Sequence, residues 1–145
     1  MNSKTKGDIS ESVILSYFLR AGKSVSVPFG DNQRYDLLVD QMDGNILRVQ
    51  CKTGKLTEDR SILRFDTCSS YEHRNGGKKS YREEVDLIAV YSPELDKVYV
   101  ISVKDIGLKS GYLRIIPTSR KTKNVRLAKD YEFIPSEPDG KAAHR

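Results

Sequence analysis

Two short β-patterned runs constrain the fold of this chain more than any other feature: Arg34-Tyr35-Asp36-Leu37-Leu38-Val39-Asp40 and Leu47-Arg48-Val49-Gln50-Cys51-Lys52. Asp43-Gly44-Asn45 between them is turn chemistry, so the pair reads as a hairpin. Strand side chains alternate faces, which puts Tyr35, Leu37 and Val39 on one side and Arg34, Asp36, Leu38 and Asp40 on the other. In the second run Leu47, Val49 and Cys51 oppose Ile46, Arg48, Gln50 and Lys52. Each strand then has an apolar face for a core, while Asp36, Gln50 and Lys52 share the opposite face. A carboxylate beside an amide oxygen and an ammonium makes a place for a divalent cation and a phosphate. The same alternation also suits an ordinary strand pair with solvated charges.

Upstream, Ile9, Val13, Tyr17 and Ala21 recur at helical spacing, with Ile14 and Phe18 beside them. Asp8 is the expected N-cap and Gly22 the expected stop. Glu11, three residues after Asp8, then has two readings. It is the acid of a capping box, satisfying backbone N–H groups of the first turn. Otherwise it is a second carboxylate, delivered to the hairpin by the start of a packed helix.

An acid near a helix start, an Asp at a strand start and an x-Lys on the next strand form an ordered set. Glu11, Asp36 and Gln50-Cys51-Lys52 occupy those places, and the set resembles the PD-(D/E)XK, or restriction-endonuclease-like, nuclease superfamily. Gln50 departs from the pattern, standing where Asp or Glu is usual. The flanking words 4–11, 28–36 and 48–54 narrow the match to the group I intron-encoded homing endonucleases of that superfamily, in which Gln replaces the acid. The resemblance is strong over residues 4–54 and looser to about residue 134.

This resemblance implies an α/β fold with a restriction-endonuclease-like core, a mixed sheet flanked by a few helices. It implies hydrolysis of DNA phosphodiesters with Mg²⁺, for which Mn²⁺ substitutes, leaving a 3′-hydroxyl and a 5′-phosphate. Glu11, Asp36, Gln50 and Lys52 are the implied catalytic set. Asp36 is the principal metal ligand, Glu11 a second, Gln50 a neutral oxygen donor, and the Cys51 backbone carbonyl completes the shell. Lys52 holds the attacking water or stabilises charge on the phosphate oxygens.

The 145 residues suit one domain over 1–134 and a polar, fraying tail over 135–145. No apolar run approaches a membrane span, and Met1-Asn2-Ser3-Lys4 is no signal-peptide start. Cys51 and Cys68 alone make no disulfide framework, and His73 and His144 are isolated, so zinc is not expected. Cys51 is expected to face the core. An intracellular, cytoplasmic setting, nucleoid-associated in a bacterium, follows as a default.

A net charge of +5 points to a polyanionic partner, and the distribution sharpens it. Residues 106–129 carry Lys109, Arg114, Arg120, Lys121, Lys123, Arg126 and Lys129 without an acid; Arg74, Lys78, Lys79 and Arg82 surround Asn75-Gly76-Gly77. Basic stretches are often plain solvated surface. Beside a candidate phosphodiesterase site they read as contacts to double-stranded DNA, with Arg74, Asn75, Arg120 and Asn124 as candidate base readers. Of the eight tyrosines, Tyr17, Tyr35 and Tyr99 read as core, and only Tyr71 and Tyr81 as neighbours of DNA.

Further strands are expected at 62–67, 85–91, 97–103, 112–116 and 131–134, a turn at 92–96, and a short helix within 104–111. Residues 68–82 read as a polar excursion. Three functions fit: a site-specific homing endonuclease, a Holliday junction resolvase-like nuclease, and a non-catalytic DNA-binding protein with a degenerate site. Cutting both strands from one apparent site per chain calls for an even-numbered homo-oligomer, a dimer or a tetramer.

Overall fold

The computed structural model describes residues 1–67, 84–106, 110–118 and 125–135. A single long helix, α1 (Ser3–Arg20), packs on a sheet whose strands are β1 (Ser24–Ser26), β2 (Leu37–Asp40), β3 (Ile46–Thr53), β6 (Leu87–Ser92) and β7 (Lys97–Ser102), in that spatial order. Only β3 and β6 run parallel. A second sheet orders β4 (Lys55–Leu56), β5 (Ile62–Asp66) and β8 (Ser110–Arg114), all antiparallel. The expected mixed sheet is therefore present; the second sheet, β1 and β4 lay beyond the sequence pattern.

The hairpin forms as its alternation dictates. Leu37, Val39 and Val49 are buried, and they join Ile14, Phe18, Ala89, Tyr91 and Val98 in the core between α1 and the large sheet. Cys51 packs against that core as expected. Asp40 and Asp43 carboxylates accept from the Met42 and Asn45 amides and fold the connecting turn, with Gly44 at φ 96°. The other face of the large sheet places Ile88, Val90, Tyr99 and Ile101 against Leu56, Leu63, Phe65 and Leu113 of the small sheet. The two sheets thus share one core, and α1 shares another.

Four expectations need correction. The helix begins five residues earlier than Asp8, because the Asn2 side chain caps it, accepting from the Thr5 amide at 2.9 Å. Asp8 instead lies exposed within the helix, 3.8 Å from the Lys4 ammonium. Glu11 is consequently a mid-helix residue with no terminal N–H groups to cap. The buried stripe is Ser10, Ile14 and Phe18, with Val13 and Tyr17 at its border and Ile9 exposed. Gly22 does follow the helix end, at φ 83°.

Residues 131–134 are not a strand of their own; Glu132 bridges Tyr99, and the chain follows β7 through Val100 N to Tyr131 O and Phe133 N to Val98 O. The expected helix within 104–111 reduces to one 3₁₀ turn at Val103–Asp105. Residues 68–83, 107–109, 119–124 and 136–145 lie outside the described residues, so the tail, the polar excursion, Tyr71 and Tyr81 do too. Among the described residues, no helix is long and apolar enough to cross a membrane.

Candidate active site

Strand register brings the site together. β2 and β3 pair Leu37 with Val49, and one step further Asp36 N donates to Val49 O at 2.8 Å. Asp36 thus ends the hairpin ladder opposite Gln50. Its Oδ2 accepts the Cys51 amide at 2.8 Å and the Gln50 side-chain Nε2 at 3.3 Å. Both of these bonds go to Oδ2. Gln50 Oε1 is buried with no hydrogen-bond partner among the described residues. A buried amide oxygen without a partner is costly, and it marks a place where a further group is expected.

Glu11 joins from the helix. Its neighbour Ser10 is buried and its hydroxyl meets Thr53 Oγ1 at 2.6 Å, tying α1 to the end of β3. Burial raises the Glu11 carboxyl above its ordinary range, and the Asp36 and Asp8 charges add to that while Lys4 opposes it. Burial likewise raises Asp36, against the Cys51 N–H and the Lys52 ammonium. The Cys51 thiol is pushed well up by burial, then by Asp36 and Glu11, again with Lys52 opposing. These mutual effects put Glu11, Asp36, Cys51 and Lys52 within electrostatic reach of one another. Lys52 is half-buried on the same side of β3 as Gln50.

The donor set fits a hard divalent cation: two carboxylates held short of full hydration, one orphaned amide oxygen and a nearby backbone carbonyl. Among the described residues no three His, Cys, Asp or Glu side chains cluster to hold a metal. The Gln50 amide oxygen would be the third oxygen of such a set.

Two ion pairs beside the site escaped the alternation argument. Arg34, expected on the open face, is only 7% exposed and meets Glu84 at 2.8 Å. Burial wins because Glu84, at the head of β6, supplies the counter-charge. Arg48, two residues before Gln50, binds Asp86, whose carboxylate also accepts the Arg48 amide at 2.7 Å. The two pairs clamp the hairpin to the start of β6. No spacing rule links residues 34 and 48 to 84 and 86, so only the fold reveals them. Of the candidate DNA contacts, Arg126 is described: its guanidinium lies over the Tyr112 ring. Arg74, Asn75, Lys78, Lys79, Arg82, Arg120, Lys121, Lys123 and Asn124 lie outside the described residues.

Residues 1–134 match the family model described as PD-(D/E)XK endonuclease. The fold is similar to that of the bacterial homing endonuclease I-Ssp6803I, at 26% identity and a TM-score of 0.64, covering 90% of this chain and 86% of that one. A Holliday junction resolvase, Hjc of Archaeoglobus fulgidus, aligns at 15% identity and a TM-score of 0.47, covering 75% of this chain and 84% of that one. No curated protein matches. With the match running through helix, hairpin and both sheets, the chain belongs to the PD-(D/E)XK endonuclease family.

Proposed function

We propose that this chain is a divalent-metal-dependent endonuclease that hydrolyses double-stranded DNA at specific sites, in the manner of an intron homing enzyme. The observation that carries the reading is the convergence of Asp36, Gln50 and Glu11, with Gln50 Oε1 buried and without a hydrogen-bond partner among the described residues. The 26% identity to a homing endonuclease over most of both chains supports the finer assignment.

Asp36 and Glu11 would hold Mg²⁺ or Mn²⁺, with Gln50 Oε1 as a neutral donor and the Cys51 carbonyl beside it. A bound cation supplies Lewis acidity at a phosphoryl oxygen and makes water a better nucleophile. The Cys51 N–H orients the Asp36 carboxylate by donating to Oδ2, and that carboxylate would hold the ion. Lys52 places its ammonium where charge builds on the phosphate oxygens, or holds the attacking water. The products are a 3′-hydroxyl and a 5′-phosphate. Since each chain carries one such site, cutting a duplex requires an even-numbered assembly, a dimer or tetramer.

Mapping cleavage on genomic-length DNA, alongside a four-way junction, tests the assignment. A single sharp cut in the long DNA with Mg²⁺ is the expected result. Cutting confined to the junction would replace it with a resolvase, and binding without cutting with a non-catalytic DNA-binding role.

A further inference from the structure

The small sheet turns one face to the shared core and leaves the other open. Across its three strands the register aligns Lys55, Arg64 and Tyr112 in one row, and Ile62 with Arg114 in the next. Lys55, Arg64 and Tyr112 are exposed. The guanidinium of Arg126 lies 5.2 Å from the Tyr112 ring centre, with Nη1 donating to Asp105 O at 2.8 Å. Arg114 Nε donates to Ile116 O at 2.9 Å. Backbone carbonyls orient both guanidiniums without neutralising them. Among the described residues, no carboxylate forms an ion pair with Lys55, Arg64, Arg114 or Arg126.

Lys55, Arg64, Tyr112 and Arg114 border a groove of about 1030 Å³ whose lining includes Thr53, the residue after Lys52. Asp66, at the far end of β5, is the one acid on its lining among the described residues. Asp59, in the loop joining β4 to β5, feels the Arg114 charge from outside the groove.

Resting on the nuclease reading above, we propose that the open face of β4, β5 and β8 seats duplex DNA in its major groove. Lys55, Arg64, Arg114 and the Arg126–Tyr112 stack make the contacts. Charge complementarity selects a polyanion, and continuity with Lys52 selects the polyanion that the hydrolytic site would cut. Strand axes at about 4.8 Å spacing span about 10 Å before side chains are counted, which excludes seating in the minor groove and leaves side chains to reach into the major one. A B-form major groove is about 12 Å wide and a minor groove about 6 Å. Arginines on such a face can read guanine edges or grip phosphates.

The test measures binding of the full chain to a random-sequence duplex of about 30 base pairs, roughly three helical turns. Binding is followed in EDTA across a salt series. Arg64→Ala/Arg114→Ala is expected to weaken binding about tenfold or more and to flatten the salt slope by about 2. Lys97→Ala, at the far sheet edge, leaves binding unchanged. The thermal shift induced by Mg²⁺ stays at its wild-type value in the double variant, since the hydrolytic site is intact. On the unaltered protein, duplex should protect Lys55 from acetylation, which serves if the variant fails to fold. Wild-type affinity in the double variant, or unprotected Lys55 on DNA-bound protein, overturns the docking face alone. A wild-type chain that binds no duplex overturns both this face and the nuclease reading.

Discussion

Gln50 donates its side-chain N–H to Asp36 across the strand pair at 3.3 Å, and its own amide oxygen is buried without a hydrogen-bond partner among the described residues. On the proposed site assignment the amide stands where the family pattern has an acid, so the site would carry one formal negative charge fewer. An amide oxygen coordinates a cation but adds no Coulombic attraction.

Replacing that amide restores the charge. Gln50→Glu is expected to bind Mg²⁺ about tenfold more tightly, corresponding to about 1.4 kcal/mol. Without cation the same variant melts lower, because a third carboxylate joins Asp36 and Glu11 in a poorly hydrated place. Calorimetric titration and thermal melts check both. Equal Mg²⁺ affinity in the two proteins would contradict the role given to Gln50.

Burial raises both Asp36 and Glu11, so their ionised forms are less favourable in the folded chain than in the unfolded one. The sign follows from linkage. Below the ordinary aspartate value of 3.8 the folded protein bears no penalty from Asp36, and the penalty grows as pH rises through the raised folded value. Asp36→Asn therefore melts higher than wild type at neutral pH without cation, and the difference vanishes in acid. Adding Mg²⁺ inverts the order, since only the carboxylate gains from the ion. Melting curves at several pH values, with and without Mg²⁺, test this.

The Ser10–Thr53 contact at 2.6 Å sets where Glu11 stands against β3. Ser10→Ala leaves the Thr53 hydroxyl unpaired and should cost about 1–3 kcal/mol. As a positioning change it lowers kcat and leaves KM for DNA near the wild-type value. A matching rise in KM would assign Ser10 to substrate binding instead.

Gly54 follows the site strand, with its N–H bonded to Tyr91 O at 2.8 Å. A Cβ there would lie 2.8 Å from Leu63 Cδ1 and 2.9 Å from Val90 Cγ1, inside the core shared by the two sheets. Gly54→Ala should cost about 1–3 kcal/mol by overpacking. Urea unfolding measures it; an unchanged midpoint would mean that the core yields freely.

Much of this was legible in the chain. Period-two alternation placed Leu37, Val39, Val49 and Cys51 towards the core and Gln50 opposite Asp36, because one register satisfies both strands at once. The helix was legible by its spacing, but its start was not: Asn2 and Asp8 are both competent caps, and the chain uses Asn2, whose side chain accepts from the Thr5 amide. Arg34 was misplaced because burial of a charge depends on Glu84, fifty residues away. The small sheet was hidden because β4 is two residues long and pairs through residues 62–64 and 110–114, a long-range choice that no local pattern encodes. Its basic face was legible only in part: Arg114 and Arg126 belong to the basic stretch 106–129, whereas Lys55 and Arg64 join them from two other strands.

The most direct test incubates supercoiled plasmid carrying the cut site mapped on genomic-length DNA with the full chain and Mg²⁺, beside Asp36→Ala and Lys52→Ala. Nicked or linear DNA from the wild type, with cutting lost in both variants and in EDTA, is the predicted result. Intact plasmid with the wild type across Mg²⁺ and Mn²⁺, or undiminished cutting by Asp36→Ala, would contradict the assignment of the Asp36–Gln50 pair as the hydrolytic centre.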